Sequence, residues 1–392
     1  MMQTNKNISI QPIEGITPDF IRGVDISSIL ALEKSGVSFK NWKGETTDIF
    51  KIMKEASVNY IRVRIWNDPF DAAGHGFGGG NNDVAAAIEI GKRATANGMK
   101  VLLNFHYSDF WADPKKYFSP RAWEKMTLLE KEHALYEFTT ETLKAMHQAG
   151  VDVGMVQVGN ENNNGLAGVS GFENTLPLIK AGVQAVRDVN KDILVMLHFA
   201  NPEIEGSYEW IAKQINDYGI HYDIFGSSYY PFWHGTLENL TGLLSHISTT
   251  YDVDVLVAET SYAYTLEDGD GSSNVVPGED QTTDYEISVQ GQADVIRAVA
   301  QAVIDVGPRG IGIFYWEPAW LPTGTPKEMQ ANQALWEKHG SGWASSYSRV
   351  YDPEDAGKLY GGSSWDNQAL FDFKGYPLAS LNIFKYIEKG SD

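Results

Sequence analysis

The sequence predicts one (β/α)₈ barrel, and three observations carry that prediction. Eight apolar, β-rich runs alternate with eight amphipathic runs along 392 residues, with no linker between them. Glycine recurs just past a helix end and before the next strand, at Asn97-Gly98, Ala149-Gly150, Tyr218-Gly219 and Val306-Gly307. Segments entering strands are short, whereas those leaving the seventh and eighth strands run to roughly 30 and 60 residues, as expected if the C-terminal face carries the site.

Residues 1–18 read as a loosely tied tail and residues 19–392 as the barrel. Strand one is expected at Phe20–Asp25, followed by a loop with Ser27 and Ser28 and a helix over Asp48–Ala56. The β-branched run Tyr60–Trp66 is strand two. The glycine-rich stretch Gly74–Gly80 has neither P-loop nor dinucleotide spacing and reads as a flexible surface loop. A helix over Val84–Asn97 leads to strand three, Lys100–His106. A long helix, Lys125–Gln148, shows an apolar stripe at helical spacing and leads to strand four, which ends in Gly159-Asn160-Glu161. Helix Leu176–Val189, strand Ile193–His198, helix Tyr208–Asp217 and strand Tyr222–Tyr230 follow. Helix Leu237–Thr249 precedes strand seven, Val253–Glu259. Helix Val289–Val306, strand Gly310–Trp316 and a last helix near Pro377–Glu388 complete the count.

Hydrophobic residues make up 43% and charged residues 21%, enough apolar material for a large core. A net charge of −20 argues against nucleic acid and anionic membrane surfaces, because polyanions are repelled. No stretch is long and apolar enough to span a membrane. Cysteine is absent, which excludes disulfides, thiolate metal sites and a cysteine nucleophile. The polar start, Met1-Met2-Gln3-Thr4-Asn5-Lys6, carries no signal-peptide core. It reads as a chain whose export signal has been trimmed, so an extracellular, cell-surface or periplasmic protein is expected, working as a monomer.

Two strands, the fourth and seventh, each deliver a glutamate to the barrel mouth, Glu161 and Glu259. A carboxylate pair there is what hydrolysis of a glycosidic bond requires. A gap of about 5 Å gives retention, and one of roughly 6.5–9.5 Å leaves room for water and gives inversion. In the retaining scheme one carboxyl must be protonated and the other ionised. Arg62 and Arg64, two apart on strand two, face the same side, and a cation there would hold Glu259 anionic. That makes Glu259 the nucleophile and Glu161 the acid/base. Asn160 is placed to hydrogen-bond a sugar 2-hydroxyl. His106 and His198 lack zinc spacing and are expected to orient carboxylates or sugar hydroxyls. Asp25 either braces the floor of the site or meets the substrate, as Tyr230 does at the end of strand six. Trp316 is the expected platform beneath the reacting sugar, with Trp111, Trp320 and Trp343 lining outer subsites or packing loops.

The loop after Glu259 contains Asp268-Gly269-Asp270-Gly271-Ser272-Ser273-Asn274. Oxygens at alternate positions suit a hard cation such as Ca²⁺. Counting twelve from Asp268 reaches Glu279, but the sixth position is Ser273 instead of glycine and no helix precedes the loop, so it is not an EF-hand. A structural calcium that clamps a long loop is expected.

Several strings together resemble glycoside hydrolase family 53, the endo-β-1,4-galactanases. These are Gly23-Val24-Asp25-Ile26-Ser27, Arg62-Val63-Arg64-Ile65-Trp66, Asn104-Phe105-His106-Tyr107-Ser108-Asp109, Trp111-Ala112-Asp113-Pro114 and Gln157-Val158-Gly159-Asn160-Glu161. Ser228-Tyr229-Tyr230-Pro231-Phe232, Ala258-Glu259-Thr260 and Tyr315-Trp316-Glu317-Pro318-Ala319-Trp320 complete them. The resemblance implies cleavage, with retention, of β-1,4-galactan or arabinogalactan, the neutral side chain of pectin. It also implies calcium joining the seventh and eighth loops. Asp268, Asp270 and Asn274 match that pattern, Ser364 or Asp366 could close it, and Ser272 stands where some relatives have histidine. The alternatives are another β-1,4-glycanase of the same clan, such as a mannanase, and a non-catalytic glycan-binding barrel.

Overall fold

The computed structural model describes residues 7–276, 281 and 284–391. Eight parallel strands close a barrel: β1 (Ile21–Asp25), β2 (Tyr60–Ile65), β3 (Lys100–Phe105), β4 (Val153–Val158), β5 (Leu194–Phe199), β6 (Ile224–Ser228), β7 (Asp254–Thr260) and β8 (Gly310–Trp316). Each pairs with its sequence neighbour, and β1 pairs with β8 to close the ring. A small hairpin, Gly165–Leu166 with Val169–Ser170, lies outside it. No helix among the described residues is long and apolar enough to cross a membrane.

Alternation along each strand explains how one barrel holds both a dry floor and a charged site. Inward positions low in the barrel are apolar: Ile21, Tyr60, Leu102, Met155, Met196, Ile224, Leu256, Ala258 and Phe314 form a closed cluster. Two residues further along, the same faces carry Arg62, Asn104, Gln157, His198 and Trp316. The floor needs glycine at one rung. An added Cβ on Gly23 would lie 2.2 Å from the Phe314 ring.

The helices form where their caps and stripes say. Thr127 and Glu130 make a reciprocal capping box that starts Leu128–Gln148, three residues later than the periodicity suggested. Phe172–Val189 begins four residues before Leu176, at Gly171. A short helix, Ile29–Lys34, occupies the segment after Ser28 that reads as loop. The long segment after β8 contains helix Met329–His339 and the single turn Ala356–Leu359.

Two expectations are corrected. Residues 7–18 are not loose: Ile8, Ile10 and Ile13 are buried in the main core. Ile13 donates its N–H to Ile387 O (2.7 Å), and Ile10 and Ser391 bond reciprocally. Residues 1–6 lie outside the described residues. The Gly74–Gly80 loop is not a flexible surface loop, since residues 77–80 are buried. Gly79 and Gly80 donate to Gly342 O and Gly340 O, and Ser345 donates to Phe77 O. Glycine there serves close approach: a Cβ on Gly79, whose φ is +57°, would lie 2.7 Å from Trp111 and 2.8 Å from Trp66.

Candidate active site

Both glutamates reach the mouth through local irregularities. β4 stops at Val158, and Gly159 (φ +80°) and Glu161 (φ +47°) turn the chain back over the barrel. A non-glycine residue in the left-handed region is strained, and such strain gathers at functional sites. On β7, Ser227 pairs with Val257 but Ser228 with Glu259, so the register slips by one residue. That bulge turns Glu259 inward although Ala258 also faces the interior.

The two carboxylates have opposite surroundings. Glu259 Oε1 lies 2.8 Å from Arg62 Nη2, and its Oε2 accepts from the Tyr230 hydroxyl at 2.9 Å. Burial raises its pKa, and Arg62 and Tyr230 offset only part of that rise. Among the described residues no cation contacts Glu161; Ser228 Oγ donates to its Oε1 at 2.6 Å. Burial, then the negative charge of Glu259, pushes Glu161 well above the ordinary carboxylate range. Both carboxyls are pushed upward, and Glu161, which has no guanidinium against it, is the more readily protonated of the two.

Asp25, Arg62, Arg64 and His198, candidates for contact with carboxylates or substrate, are all fully buried. Asp25, Arg62 and Trp316 share one rung of the barrel. Arg62 spreads its donors over Glu259, Asp25 (3.1 Å), Asn160 Oδ1 (3.0 Å) and Gln157 Oε1 (3.1 Å). Arg64 does not touch Glu259. It bonds Glu317 Oε1 (2.7 Å) and Gly79 O (2.6 Å), and its guanidinium lies 4.6 Å from the Trp111 ring and 5.9 Å from Trp316.

Asn160, His106 and Tyr230 are buried but keep a few per cent of their surface exposed, and Trp111 and Trp316 are half-buried. Asn160 accepts from Arg62, Asn104 and Gln157 and donates one N–H to Ala112 O, which leaves a second amide hydrogen. His106 Nδ1 accepts from Trp66 Nε1 (3.1 Å) and Ala112 N (3.2 Å), so its proton sits on Nε2. Burial and then Arg64 and Arg62 keep His106 neutral, and burial with Arg62 does the same for His198. Trp316 packs edge-on against Trp365 with centroids 4.8 Å apart. Trp320 is a packing residue, buried and bonded to Ser341 O; Trp343, half-buried, bonds Leu359 O.

The composition of the chain gave no reason to single out Gln157, Ser228 or Glu317. Gln157 and Ser228 occupy inward positions two residues beyond Met155 and Gly226, a signal present in the alternation. Glu317 (φ +51°) lies just past β8, accepts from Ser28 N and Oγ as well as Arg64, and is pushed up to about 7, chiefly by burial.

A second cluster joins the seventh and eighth loops. Carboxylate oxygens of Asp268, Asp270 and Asp366 lie within 4.8 Å of one another. Asp366 Oδ1 and Asn274 Oδ1 are buried without a hydrogen-bond partner, the arrangement a hard cation would satisfy. Burial pushes Asp270 up to about 7 and, helped by the charge of Asp270, Asp366 up to about 8. Of the two alternatives for the closing ligand, Asp366 enters the cluster, whereas Ser364 offers its carbonyl to Val275 N (2.9 Å). Ser272 Oγ accepts from Gly362 N (3.0 Å), so it ties the loops directly. Glu279 lies outside the described residues.

The sequence profile of glycosyl hydrolase family 53 matches residues 21–384, nearly the whole barrel. The chain belongs to glycosyl hydrolase family 53. It is thus a glycoside hydrolase. This family 53 chain is 56% identical over 385 residues to a Bacillus subtilis protein named endo-beta-1,4-galactanase, covering 98% of this chain and 90% of that one. It is 34% identical to an arabinogalactan endo-beta-1,4-galactanase of Cellvibrio japonicus, covering 84% and 86%. The solved family 53 catalytic domain of Ignisphaera aggregans superposes with a TM-score of 0.86 at 36% identity, covering 97% of this chain and 100% of that one.

Proposed function

We propose that this protein is an endo-β-1,4-galactanase that cleaves the galactan or arabinogalactan side chains of pectin with retention of configuration. The observation that carries the chemistry is the contrast between Glu161, half-buried and bonded by the neutral Ser228 hydroxyl, and Glu259, held by Arg62 and Tyr230. The substrate rests on the names of the relatives, two of which act on galactan by name.

In this reading Glu161 gives its proton to the leaving glycosidic oxygen while Glu259 attacks the anomeric carbon. The C–O bond breaks as an ester to Glu259 forms. Water then enters where the leaving sugar stood, Glu161 takes its proton, and the hydroxide displaces Glu259. The free amide hydrogen of Asn160 meets the sugar 2-hydroxyl, and Trp316 supports the ring. Arg62 offsets the charge of Glu259 before attack and after release.

Asp268, Asp270, Asp366 and Asn274 would hold a calcium ion that clamps the seventh and eighth loops, a structural role outside the reaction. A polysaccharide cannot cross a membrane, so the enzyme works outside the cytoplasm.

Reducing-sugar release from linear β-1,4-galactan, beside galactomannan and cellulose, tests the substrate. NMR of the first-formed anomer tests retention. Release from galactan alone, lost in Glu161→Gln and Glu259→Gln, supports the reading. Release from galactomannan would favour a mannanase, and no release from any would favour a glycan-binding barrel.

A further inference from the structure

Glu161 stands at the end of a directed chain of hydrogen bonds. Arg62 Nε donates to Gln157 Oε1 (3.1 Å), which fixes the Gln157 amide so that its nitrogen faces His198 Nδ1 (3.0 Å). The two hydrogens of that nitrogen are shared among Gly159 O (2.9 Å), Asn160 Oδ1 (3.0 Å) and His198 Nδ1. An amide nitrogen cannot accept, so His198 Nδ1 carries no proton facing it and the ring proton sits on Nε2. His198 Nε2 lies 2.8 Å from Ser228 Oγ, which must accept that proton's bond. The Ser228 hydroxyl hydrogen then has one place to go, Glu161 Oε1 at 2.6 Å. Gln157, His198 and Ser228 are all fully buried, so water does not compete for these bonds.

We propose that Gln157, His198 and Ser228 are positioning residues that assign the Glu161 proton to its other oxygen, Oε2, and set the strength of the acid. Because Oε1 is occupied by a donated hydrogen, a proton there would have no acceptor. Oε2 is left to face the glycosidic oxygen and, later, the attacking water. The donated bond favours the ionised carboxylate and so partly offsets the upward push of burial.

The charges facing Glu161 from the surrounding elements are Glu259 on β7, Asp113 in the loop after β3 and Arg62 on β2; the neutral hydroxyls of Tyr208 and Tyr230 lie in its field as well. None of these donates a hydrogen bond to Glu161. Ser228 does, and its register partner on β7 is Glu259 itself. One strand pair thus carries the donor to the acid and, next to it, the nucleophile.

This inference rests on Glu161 as the acid/base, and its test separates the two. ¹³C NMR titration of the glutamate carboxyls, with Glu161 assigned by its loss in Glu161→Gln, reads the acid without substrate. Ser228→Ala should raise the Glu161 pKa by about one unit and move the basic limb of kcat/KM on galactan upward with it. The same variant should lower kcat about tenfold and leave KM within about twofold, because acid positioning is realised in the transition state. Ser228→Thr keeps the hydroxyl and should restore both readings. His198→Phe should shift the titration in the same direction, and adding it to Ser228→Ala should add little, because it acts through that hydroxyl. An unmoved Glu161 titration in Ser228→Ala, or fully additive shifts in the double variant, would overturn the relay and leave the galactanase reading standing. A wild type that releases no sugar while its Glu161 titration responds to Ser228→Ala would sink the galactanase reading and keep the relay.

Discussion

Arg62 is shared between Glu259 and Asp25: one guanidinium nitrogen lies 2.8 Å from Glu259 Oε1 and the other 3.1 Å from Asp25 Oδ2. A planar fork with fixed donor directions can serve both, and also Gln157 and Asn160, without moving. A lysine cannot.

Arg62→Lys should therefore keep the positive charge and still lower kcat/KM by about 10²–10³-fold, the scale of losing an oriented electrostatic partner. Weaker support raises the Glu259 pKa, and activity needs that group ionised. The acid limb of the pH–rate profile should accordingly move up. A profile with an unchanged acid limb would mean that Arg62 does not hold the nucleophile.

Glu161→Gln should abolish acid catalysis, a loss of about 10²–10⁴-fold, yet stabilise the fold at alkaline pH. The folded-state pKa of Glu161 is raised, so its protonated form is favoured by the fold. Stability from that group is fully present below the ordinary carboxylate pKa and is lost as pH rises through the folded value. An amide has no proton to lose. The variant should melt about 1–3 °C above wild type at pH 8, and the gap should close at pH 4.5. A gap independent of pH would contradict the assignment of the proton.

Glu317 and Arg64 make a second buried ion pair, beneath the tryptophans. Glu317→Ala leaves the guanidinium with Gly79 O and, as its nearest carboxylate, Asp25 Oδ1 at 3.7 Å, and should destabilise the fold by about 3–5 kcal/mol in urea denaturation. Arg64 also lies under Trp111 and Trp316, so KM for galactan should rise more than kcat falls. The reverse pattern would place Arg64 in the chemistry instead.

Removing calcium should loosen the seventh and eighth loops without touching the carboxylate pair. A chelator should lower the melting temperature of the wild type, and added Ca²⁺ should restore it in a concentration-dependent way. The gain is about 2.7 kcal/mol when the free ion is a hundredfold above its dissociation constant. Asp366→Ala should melt lower and show no response to either reagent. A chelator response that persists in Asp366→Ala would locate the ion elsewhere.

Much of this arrangement was legible in the chain because strand alternation is local. The eight strands, the C-terminal mouth and the positions of Glu161, Glu259, Tyr230 and Trp316 follow from runs of six or seven residues. What alternation cannot give is how far up the barrel a residue stands. Arg62 and Arg64 share a face, but one rung separates the residue that meets Glu259 from the one that meets Glu317. Glycine-rich residues 74–80 read as flexible because their partners at 340–345 are far away in sequence and have no local signature. The isoleucines at 8, 10 and 13 were hidden for the same reason. Glu317 was visible in its motif, but its role depends on Ser28 and Arg64, which only the closed barrel brings to it.

The tether between residues 10–13 and the helix Ile383–Lys389 sets an order for synthesis as well as a fold. Residues 10–13 are made long before their partners at 387–391. β1 likewise waits for β8, almost three hundred residues later. Until β8 and the last helix have been made, the nascent sheet therefore carries two open edges and three uncovered isoleucines, the state in which a large parallel sheet is most prone to aggregate. Yield of folded protein should be limited by that final closure, so slower elongation early in the chain would help little and protection of the waiting edge would help most.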